Sequence, residues 1–459
     1  MSESRGLVVV ANRLPVFRVR GEAGEEWQTS PGGLVSALRP ILRGRPSRWV
    51  GWTGRADDEQ EPFEHDGIDH CPIPLSRDEL RTFYDGFCNR TLWPLYHAAL
   101  RPPRFSRRWW RAYRAVNERF ADAAAATAPP NSVVWIHDYH LQLVPDMVRR
   151  LRPDLRIGFF LHIPFPPQEL FATIPWRKQL LQGLLGADVV GFQTPLGGYN
   201  FGQLSRRFTS ARRKKGRLDY HNRSVIARAF PISIDVQLYT DLAKRDDVKR
   251  RAEEFRRRTG GRRIILGVDR LDYTKGIDSR LRAFALLLES KRISPADAVF
   301  VQVAVPSRER VAEYRELKAG IERLVGEING AYGEIGRPAV HYVRRSFPAD
   351  ELVALYNAAD VLAVTPLRDG MNLVAKEYVA SRVDDTGVLV LSEFSGAARE
   401  LSGALLVNPH DLEGVSSAIH SALEMSEHDQ KIRMRKSRRA LERNTVFDWA
   451  DDFLAELAG

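Results

Sequence analysis

The sequence predicts an α/β protein with two domains, each built on a doubly wound parallel sheet. Three observations lead to this prediction. Short apolar runs alternate with helical patterns along the whole chain. Polar residues directly follow several of these runs, as ligand-binding residues do at the carboxyl ends of parallel strands. The 459 residues also exceed what one ordinary hydrophobic core organises.

The first half is predicted to form a Rossmann-like domain over residues 1–235. A loop is expected from Val16 to Ser30, followed by a helix from Gly33 to Leu42. The segment 229–235 marks the crossing to the second half. Strands are predicted at residues 7–11, 49–54, 133–136, 156–161 and 188–192.

The second half repeats this pattern and predicts another Rossmann-like domain over residues 236–444. A helix within residues 445–459 is expected to pack back on the first domain. The active site is expected in the cleft between the two carboxyl-terminal strand edges. Strands are predicted at residues 264–268, 299–303, 340–343, 361–364, 387–391 and 405–407.

The stretch Thr365–Tyr378 is central to the predicted site. Its pattern predicts the end of a buried strand, a turn at Asp369-Gly370 and a helix, and such a turn would place unpaired backbone N–H groups where a phosphate can bind. With the helix beginning at Gly370, Glu377 would share its face and receive hydroxyl donors such as those of a ribose. The alternative is an ordinary turn in which Asp369 caps the helix and Glu377 is solvated.

Basic and polar residues end several other predicted strands. Arg270 and Lys275 flank a turn after the first strand of the second half, where two cations could neutralise a pyrophosphate, or form surface salt bridges. His137-Asp138 and His162 end successive strands of the first half, where they could bind sugar hydroxyls or be packed and capping residues. Arg13 ends the first strand.

Composition and missing motifs exclude several classes of protein. The formal net charge of +11 suits phosphorylated ligands better than nucleic acid, because the basic runs 212–217 and 433–443 lack interleaved aromatic residues. Two cysteines exclude a disulfide scaffold or a cysteine-based zinc site. Dinucleotide-binding, P-loop and Asp-x-Asp motifs are absent. Without a signal peptide or a long apolar span, we expect a cytoplasmic protein that does not contact membranes.

Eight motifs taken together resemble those of the trehalose-6-phosphate synthase family, in order along nearly the whole chain. The longest are Trp135–Leu141 and Thr365–Tyr378. The others are Asn12–Pro15, Gly51–Gly54, Leu92–Pro94, Phe160–Pro166, Gly191–Gln193 and Arg270–Gly276.

The resemblance implies a retaining glycosyltransferase of GT-B fold. It would move glucose from UDP- or GDP-glucose to glucose 6-phosphate and yield α,α-trehalose 6-phosphate, without a metal or another cofactor. A homo-oligomer, dimer or tetramer, is also expected. No phosphatase domain is expected after residue 459.

The resemblance also implies a role for each site residue. The acceptor phosphate would be held by Arg13 and Arg308 with Tyr84 beside it, the acceptor sugar would lie near Trp93, and its hydroxyls would bind Asp138. The donor diphosphate would bind Arg270 and Lys275, and the ribose would bind Glu377. Gly33 would belong to a loop that closes over the donor. The donor glucose would be held by His162, Asp369, Gly370, Met371, Asn372, Leu373 and Val374.

We expect the diphosphate to leave from the face that the acceptor hydroxyl approaches, so that the anomeric configuration is retained without a covalent intermediate. The catalytic set would be Asp138, His162, Arg270, Lys275 and Asp369. Three alternatives remain: a pseudo-glycosyltransferase with a cyclitol donor, a catalytically silent trehalose-phosphate sensor or scaffold, and a pyridoxal-phosphate phosphorylase. The last would need Lys275 or Lys376 as its Schiff-base lysine.

Overall fold

The chain forms two compact units in the computed structural model, which describes residues 6–21, 24–30, 33–42 and 46–458. The first unit extends to Ile232 and includes the segment from Val446 onward, and the second spans Ser233–Thr445. The chain therefore leaves the first unit after Ile232, forms the second unit, and returns to the first unit with its last helix.

The first unit contains a ten-stranded sheet and a separate hairpin. The hairpin, β2 with β3, occupies most of the segment predicted as a loop, because Val16 to Gly21 pairs antiparallel with Gly24 to Thr29. The strands are β1 (Leu7–Arg13), β2 (Val16–Gly21), β3 (Gly24–Thr29), β4 (Ser47–Trp52), β5 (Phe63–His65), β6 (Ile68–Pro72), β7 (Val133–His137), β8 (Arg156–Leu161), β9 (Val189–Phe192), β10 (Arg212–Lys214), β11 (Arg217–Tyr220) and β12 (Arg223–Ala229).

The order of strands in this sheet is β10-β11-β12-β9-β8-β7-β1-β4-β6-β5. The seven central strands are parallel, and antiparallel pairs extend both edges. Numbered along the chain, the parallel strands run 3-2-1-4-5-6-7, which begins with the doubly wound order of a dinucleotide-binding fold. Sequence patterns missed the edge strands, which are short and largely polar.

Helices cover this sheet. A 13-residue π-helix, Leu80–Leu92, lies between two of them, and a short 3₁₀ turn, Tyr139–Leu141, follows β7. The helices are α1 (Gly33–Leu42), α2 (Arg77–Glu79), α3 (Trp93–Tyr96), α4 (Arg107–Thr127), α5 (Val144–Leu151), α6 (Gln168–Phe171), α7 (Arg177–Leu184) and α8 (Pro195–Phe208).

The second unit contains a six-stranded, wholly parallel sheet of order β15-β14-β13-β16-β17-β18, which is again 3-2-1-4-5-6. Its strands are β13 (Arg263–Arg270), β14 (Ala298–Val305), β15 (Val340–Val343), β16 (Val361–Val364), β17 (Val388–Ser392) and β18 (Leu405–Val407). Each predicted strand of this half is present, within three residues at either end.

The helices of the second unit are α9 (Val236–Lys244), α10 (Asp246–Arg258), α11 (Ile277–Glu289), α12 (Ala312–Tyr332), α13 (Ala349–Ala358), α14 (Leu373–Ser381), α15 (Leu412–Leu423) and α16 (Glu427–Glu442). The last helix of the chain, α17 (Val446–Ala458), belongs to the first unit.

Helix α17 buries its apolar face on β8 and β9, the centre of the first sheet. Trp449 and Phe453 are 1% and 0% exposed and stack against Trp135 at 5.0 and 4.7 Å between ring centroids. A Cβ on Gly158 would lie 2.6 Å from the Phe453 ring, so the strand has room for this ring only because residue 158 has no side chain. Burial of two large aromatic side chains contributes several kcal/mol to this unit.

Candidate active site

In the second unit, two predicted motifs meet at the point where the strand order reverses. Strand β13 lies between β14 and β16, so the chain leaves β13 to one side and β16 to the other. Arg270 is exposed at the end of β13, and Thr365 directly follows β16. The crevice outside such a reversal is where open α/β sheets bind ligands.

A short turn presents Lys275 at this reversal. The Asp272 carboxylate caps it by accepting from the backbone N–H of Thr274 at 3.0 Å. Gly276 then takes a left-handed conformation with φ of 60°, and a Cβ there would lie 2.5 Å from the carbonyl oxygen of Thr365. Only glycine allows the two segments to approach this closely.

Lys275 and Asp369, 94 residues apart in sequence, form an ion pair. The Nζ–Oδ2 distance is 2.5 Å, and the two side chains are 12% and 14% exposed. The Asn372 amide donates to the same carboxylate oxygen at 3.1 Å. The sequence predicted these residues in one site, and the structure brings them together.

The turn that follows Asp369 is held against the segment after β17. The N–H of Asp369 donates to the carbonyl of Phe394 at 3.1 Å, and the N–H of Ala397 donates to the carbonyl of Met371 at 3.0 Å. A Cβ on Gly396 would lie 2.0 Å from the carbonyl oxygen of Gly370. Backbone contacts with the segment after β17 therefore hold the turn in place.

The helix after this turn begins later than the sequence pattern indicated. Asn372, at φ 102°, is its N-cap and accepts from the N–H of Ala375 at 3.1 Å, so α14 starts at Leu373. The predicted placement of Gly370 at the helix start, on the same face as Glu377, is therefore wrong. The first two helical N–H groups, those of Leu373 and Val374, lie at the amino end of the macrodipole.

Glu377 is buried, so the alternative of a solvated helix residue is wrong. The residue is 9% exposed and its carboxylate accepts from the Tyr356 hydroxyl at 2.9 Å. Burial raises the pKa of Glu377, while hydrogen bonds from Tyr356 and Tyr239 act to lower it. Two tyrosines thus orient a buried carboxyl group on the second turn of α14.

Arg308 belongs to the second unit, and its side chain is 4% exposed. Its Nη1 lies 2.7 Å from Oδ2 of Asp272, and the Tyr314 hydroxyl donates to the same oxygen at 2.9 Å. Asp272 therefore touches both the turn of Lys275 and the guanidinium of Arg308. Sequence reasoning identified Arg308 but missed this shared carboxylate.

In the first unit, Arg13 is the last residue of β1 and Asp138 directly follows the neighbouring strand β7, again where the strand order reverses. The Arg13 guanidinium lies over the Trp52 ring, 4.5 Å from its centroid. Gly54, at φ 96°, leaves room for it, since a Cβ there would lie 1.8 Å from Nη1 of Arg13.

Tyr84 extends this arrangement from the π-helix. Its ring lies 6.0 Å from that of Trp52 and stacks on His140 at 5.8 Å, with 8° between the planes. Asn89 of the same π-helix donates to the carbonyl of Tyr84 at 2.8 Å and accepts from the Tyr139 hydroxyl at 2.9 Å. Neither His140 nor Asn89 was a predicted site residue. The π-helical spacing that brings Asn89 to Tyr84 has no sequence signal.

Asp138 lies beside the other predicted residues of this edge. Its backbone has a φ of 73°, and its carboxylate accepts from the N–H of His162 at 3.3 Å. Trp93 is 3% exposed and packs on His97 and Tyr139, at centroid distances of 4.1 and 5.6 Å. Gly33 begins α1, whereas residues 31 and 32 of its predicted loop lie outside the described residues.

Nearly the whole chain matches one family model. Residues 5–459 fit the model described as glycosyltransferase family 20. The chain belongs to glycosyltransferase family 20. The predicted resemblance is therefore confirmed, and the two parallel sheets agree with the predicted GT-B architecture.

Relatives in glycosyltransferase family 20 span the same length. The trehalose-6-phosphate synthase of Mycolicibacterium smegmatis is 53% identical over 469 residues, covering 100% of this chain and 93% of the relative. A UDP-forming α,α-trehalose-phosphate synthase from Burkholderia xenovorans, solved with glucose-6-phosphate, has a TM-score of 0.91 at 33% identity and covers 99% of this chain and 100% of its own. A structure from Escherichia coli bound with UDP-2-fluoro glucose has a TM-score of 0.90 at 33% identity, covering 98% of each chain.

No helix among the described residues of this family 20 member combines the length and apolar character that a membrane crossing requires. No group of three or more histidine, cysteine, aspartate or glutamate side chains among them is arranged to hold a metal ion.

A buried ion pair that sequence reasoning missed lies under the reversal in the second sheet. Arg280 of α11 is 0% exposed, pairs with Asp269 and donates to Gln302 at 3.0 Å and to the carbonyl of Ala363 at 2.8 Å. Its guanidinium thereby joins β13, β14 and β16. Nothing in the sequence around Arg280 indicates that this arginine of a helix is buried.

Three histidines of the first unit are held neutral. Burial lowers the pKa of His162 to about 3 and that of His70 to about 4, and it lowers the pKa of His137 well below its usual value. In the unfolded chain each would bind a proton below pH ~6.5. The folded state therefore loses stability as the pH falls below that value.

We expect the melting temperature of the first unit to fall steadily between pH 7 and pH 5. Each histidine contributes at most about 1.4 kcal/mol per pH unit. Calorimetry at closely spaced pH values measures the slope. His70→Phe removes one of the three groups and should flatten the slope, whereas an unchanged slope would show that His70 binds its proton in the folded chain as it does in the unfolded one.

Proposed function

We propose that this chain transfers glucose from UDP-glucose to glucose 6-phosphate, with retention of configuration, and releases UDP and α,α-trehalose 6-phosphate. The observation that carries this proposal is the Lys275–Asp369 pair at the strand reversal of the second unit. It combines a cation for a diphosphate with a carboxylate for sugar hydroxyls. Relatives that are named trehalose-6-phosphate synthases and match the whole chain support the choice of substrates.

On the donor side, the cations of Arg270 and Lys275 bind the diphosphate, together with N–H groups at the start of α14. Glu377, fixed by its tyrosine hydrogen bond, accepts from the ribose hydroxyls. The glucose binds Asp369 and the rigid turn after it, from Gly370 to Asn372, with His162 as a further contact. The fixed turn suits recognition of hydroxyl positions, because its backbone groups do not need to be reordered on binding.

On the acceptor side, Arg13 binds the phosphate with Arg308, and Tyr84 lies beside it. The guanidinium of Arg13 is pre-positioned over Trp52, which lowers the entropy cost of binding. Asp138 accepts from the acceptor hydroxyls, and Trp93 supports this region from α3. The roles of Arg13, Tyr84, Trp93 and Asp138 follow the family resemblance and their positions in the first unit. The role of Arg308, which belongs to the second unit, follows the resemblance alone.

The reaction breaks the bond between C1 of glucose and the diphosphate oxygen and forms a bond from C1 to the acceptor oxygen. The acceptor hydroxyl gives its proton to the departing phosphate oxygen. Arg270 and Lys275 stabilise the charge that develops on the diphosphate, which is the electrostatic contribution expected to dominate. Asp138 orients the acceptor, and no covalent sugar intermediate on the enzyme is required.

Incubation with glucose 6-phosphate and either UDP-glucose or GDP-glucose tests the proposal. We expect a non-reducing disaccharide phosphate with UDP-glucose, in which carbon NMR shows two α-linked anomeric centres. A β-linked product would contradict retention. Preference for GDP-glucose would overturn the choice of base while leaving the reaction intact.

The two family alternatives give different outcomes. A pseudo-glycosyltransferase would turn over a nucleotide-linked cyclitol faster than UDP-glucose. A silent sensor would bind trehalose 6-phosphate and release no UDP. The intact pair of Lys275 and Asp369 favours an active enzyme that reads an ordinary glucose. We further propose that it acts as a dimer or tetramer in the cytoplasm.

Gly54→Ala is expected to raise the KM for glucose 6-phosphate about tenfold or more, equivalent to one lost charge-assisted hydrogen bond. The new Cβ would displace the guanidinium of Arg13. Initial rates against glucose 6-phosphate measure the effect. Gly67→Ala is the matched control, since Gly67 also has a positive φ, 73°, but has no atom within 4 Å of the Cβ position. Equal KM increases in both variants would remove Arg13 from the phosphate site.

A further inference from the structure

A contact between two histidine rings lies at the active edge of the first sheet. Nδ1 of His137, the last residue of β7, lies 3.1 Å from Nε2 of His162, which follows β8. His137 is 0% exposed, while His162 is partly exposed. Since Nε2 of His162 faces His137, Nδ1 of His162 is the nitrogen left to meet a ligand.

The hydrogen bond between the two neutral rings requires one proton between the two facing nitrogens. If His137 donates from Nδ1, the proton of His162 must be on its outer nitrogen, Nδ1, which then presents an N–H group. If His162 donates from Nε2, its outer nitrogen presents a lone pair instead. The two arrangements give His162 opposite roles toward a ligand.

The surroundings of His137 favour the first arrangement. Its Nε2 is buried and has no hydrogen-bond partner among the described residues. In the first arrangement this atom is an unpaired acceptor, and in the second it is an unpaired N–H donor, which folded proteins tolerate less well.

The neighbouring indole groups also favour the first arrangement. The ring of Trp135 lies 4.8 Å from His137 and 5.0 Å from Trp449, and the Nε1 donors of both tryptophans are also buried without a partner in the described chain. A lone pair on His137 Nε2 suits a cluster with two unsatisfied donors better than a third N–H would.

We propose that His137 is a positioning residue that fixes His162 as the Nδ1–H tautomer. His162 then serves the reaction as a neutral hydrogen-bond donor to an oxygen of the sugar donor, and not as a base. The identity of that oxygen rests on the proposed function. The tautomer itself rests on the geometry of the two rings.

Nitrogen-15 NMR of the full-length protein with labelled histidine tests this directly, in the absence of substrates. The His162 resonances are assigned by their loss in His162→Asn. We expect Nδ1 of His162 to have the chemical shift of a protonated nitrogen and Nε2 that of an unprotonated one. The reverse pattern in the wild type would overturn the proposal without the need for any further variant.

Variants at position 137 separate positioning from packing. His137→Phe keeps a ring but removes the donor, so the Nε2–H tautomer of His162 should appear and kcat should fall about tenfold, the value of one neutral hydrogen bond. The KM for glucose 6-phosphate should stay unchanged. His137→Asn, whose amide can donate from nearly the same place, should restore both the tautomer and most of the turnover.

His70→Phe is the matched control, because His70 is another buried, neutral histidine of the first unit, 2% exposed. It should leave the His162 tautomer and kcat as in the wild type. If His137→Phe changes neither, the proposal fails. If the wild type has the expected tautomer but forms no disaccharide phosphate, the proposed function fails and the positioning role stands.

Discussion

Arg270→Ala is expected to lower kcat by about 100- to 1,000-fold, the usual loss when one donor to a developing negative charge is removed. Arg270 stands exposed at the end of β13, where the strand order reverses, beside the turn of Lys275. Charge on the diphosphate grows as its bond to glucose breaks, so the guanidinium binds the transition state more tightly than bound UDP-glucose. Steady-state rates with both substrates varied measure the change.

The KM for glucose 6-phosphate should change little in Arg270→Ala. Arg263→Ala is the matched control, since Arg263 begins the same strand and pairs with Glu424 at 3.0 Å. It should retain wild-type kcat. If Arg270→Ala instead raises the KM for UDP-glucose and leaves kcat intact, its cation contributes equally to ground-state and transition-state binding, and the proposed stabilisation of the leaving group is wrong.

Arg280→Met is expected to destabilise the second unit by about 3 kcal/mol, because it leaves the Asp269 carboxyl group buried without its partner. For a unit of this size that lowers the melting temperature by about 6–12 °C. Burial raises the pKa of Asp269 even beside Arg280. In the variant the group must stay protonated when folded, so the loss of stability should grow as the pH rises from 5 to 8.

Arg282→Met provides the control for Arg280→Met. Arg282 is exposed on the same helix, α11, two residues further on, and its replacement should change the melting temperature by no more than ~2 °C. Adding Asp269→Leu to Arg280→Met should recover much of the loss, since an apolar pair has no buried charge to compensate. Equal stability of Arg280→Met and the wild type at pH 8 would show that the ion pair adds nothing.

The sequence predicted most of the architecture because its signals are local. The apolar runs from Ile264 to Leu406 locate each strand of the second sheet, and the parallel topology follows from their alternation with helices. The strand order, which places β13 beside β16, is not a local property and comes only from the structure. The motifs predicted Lys275 and Asp369 in one site, but the ion pair between them comes only from the structure.

The missed features depend on contacts between distant residues. The hairpin β2–β3 depends on contacts between its strands, such as the ion pair of Arg18 with Glu25 at 3.1 Å. The late start of α14 depends on the positive φ of its N-cap, Asn372, which the sequence pattern does not predict. The burial of Arg280 depends on three strands that are neighbours only in the folded unit. The roles assigned to single site residues stay predictions until variants are measured.

The return of α17 to the first unit has a consequence for synthesis. Trp449 and Phe453 cover rings on β7 and β8, yet they emerge from the ribosome only after the entire second unit. Domains usually fold in the order in which they are translated. Here the apolar face of the first unit stays uncovered while more than 200 further residues are synthesised. A chaperone that binds exposed apolar faces would therefore bind the nascent chain and not the finished protein.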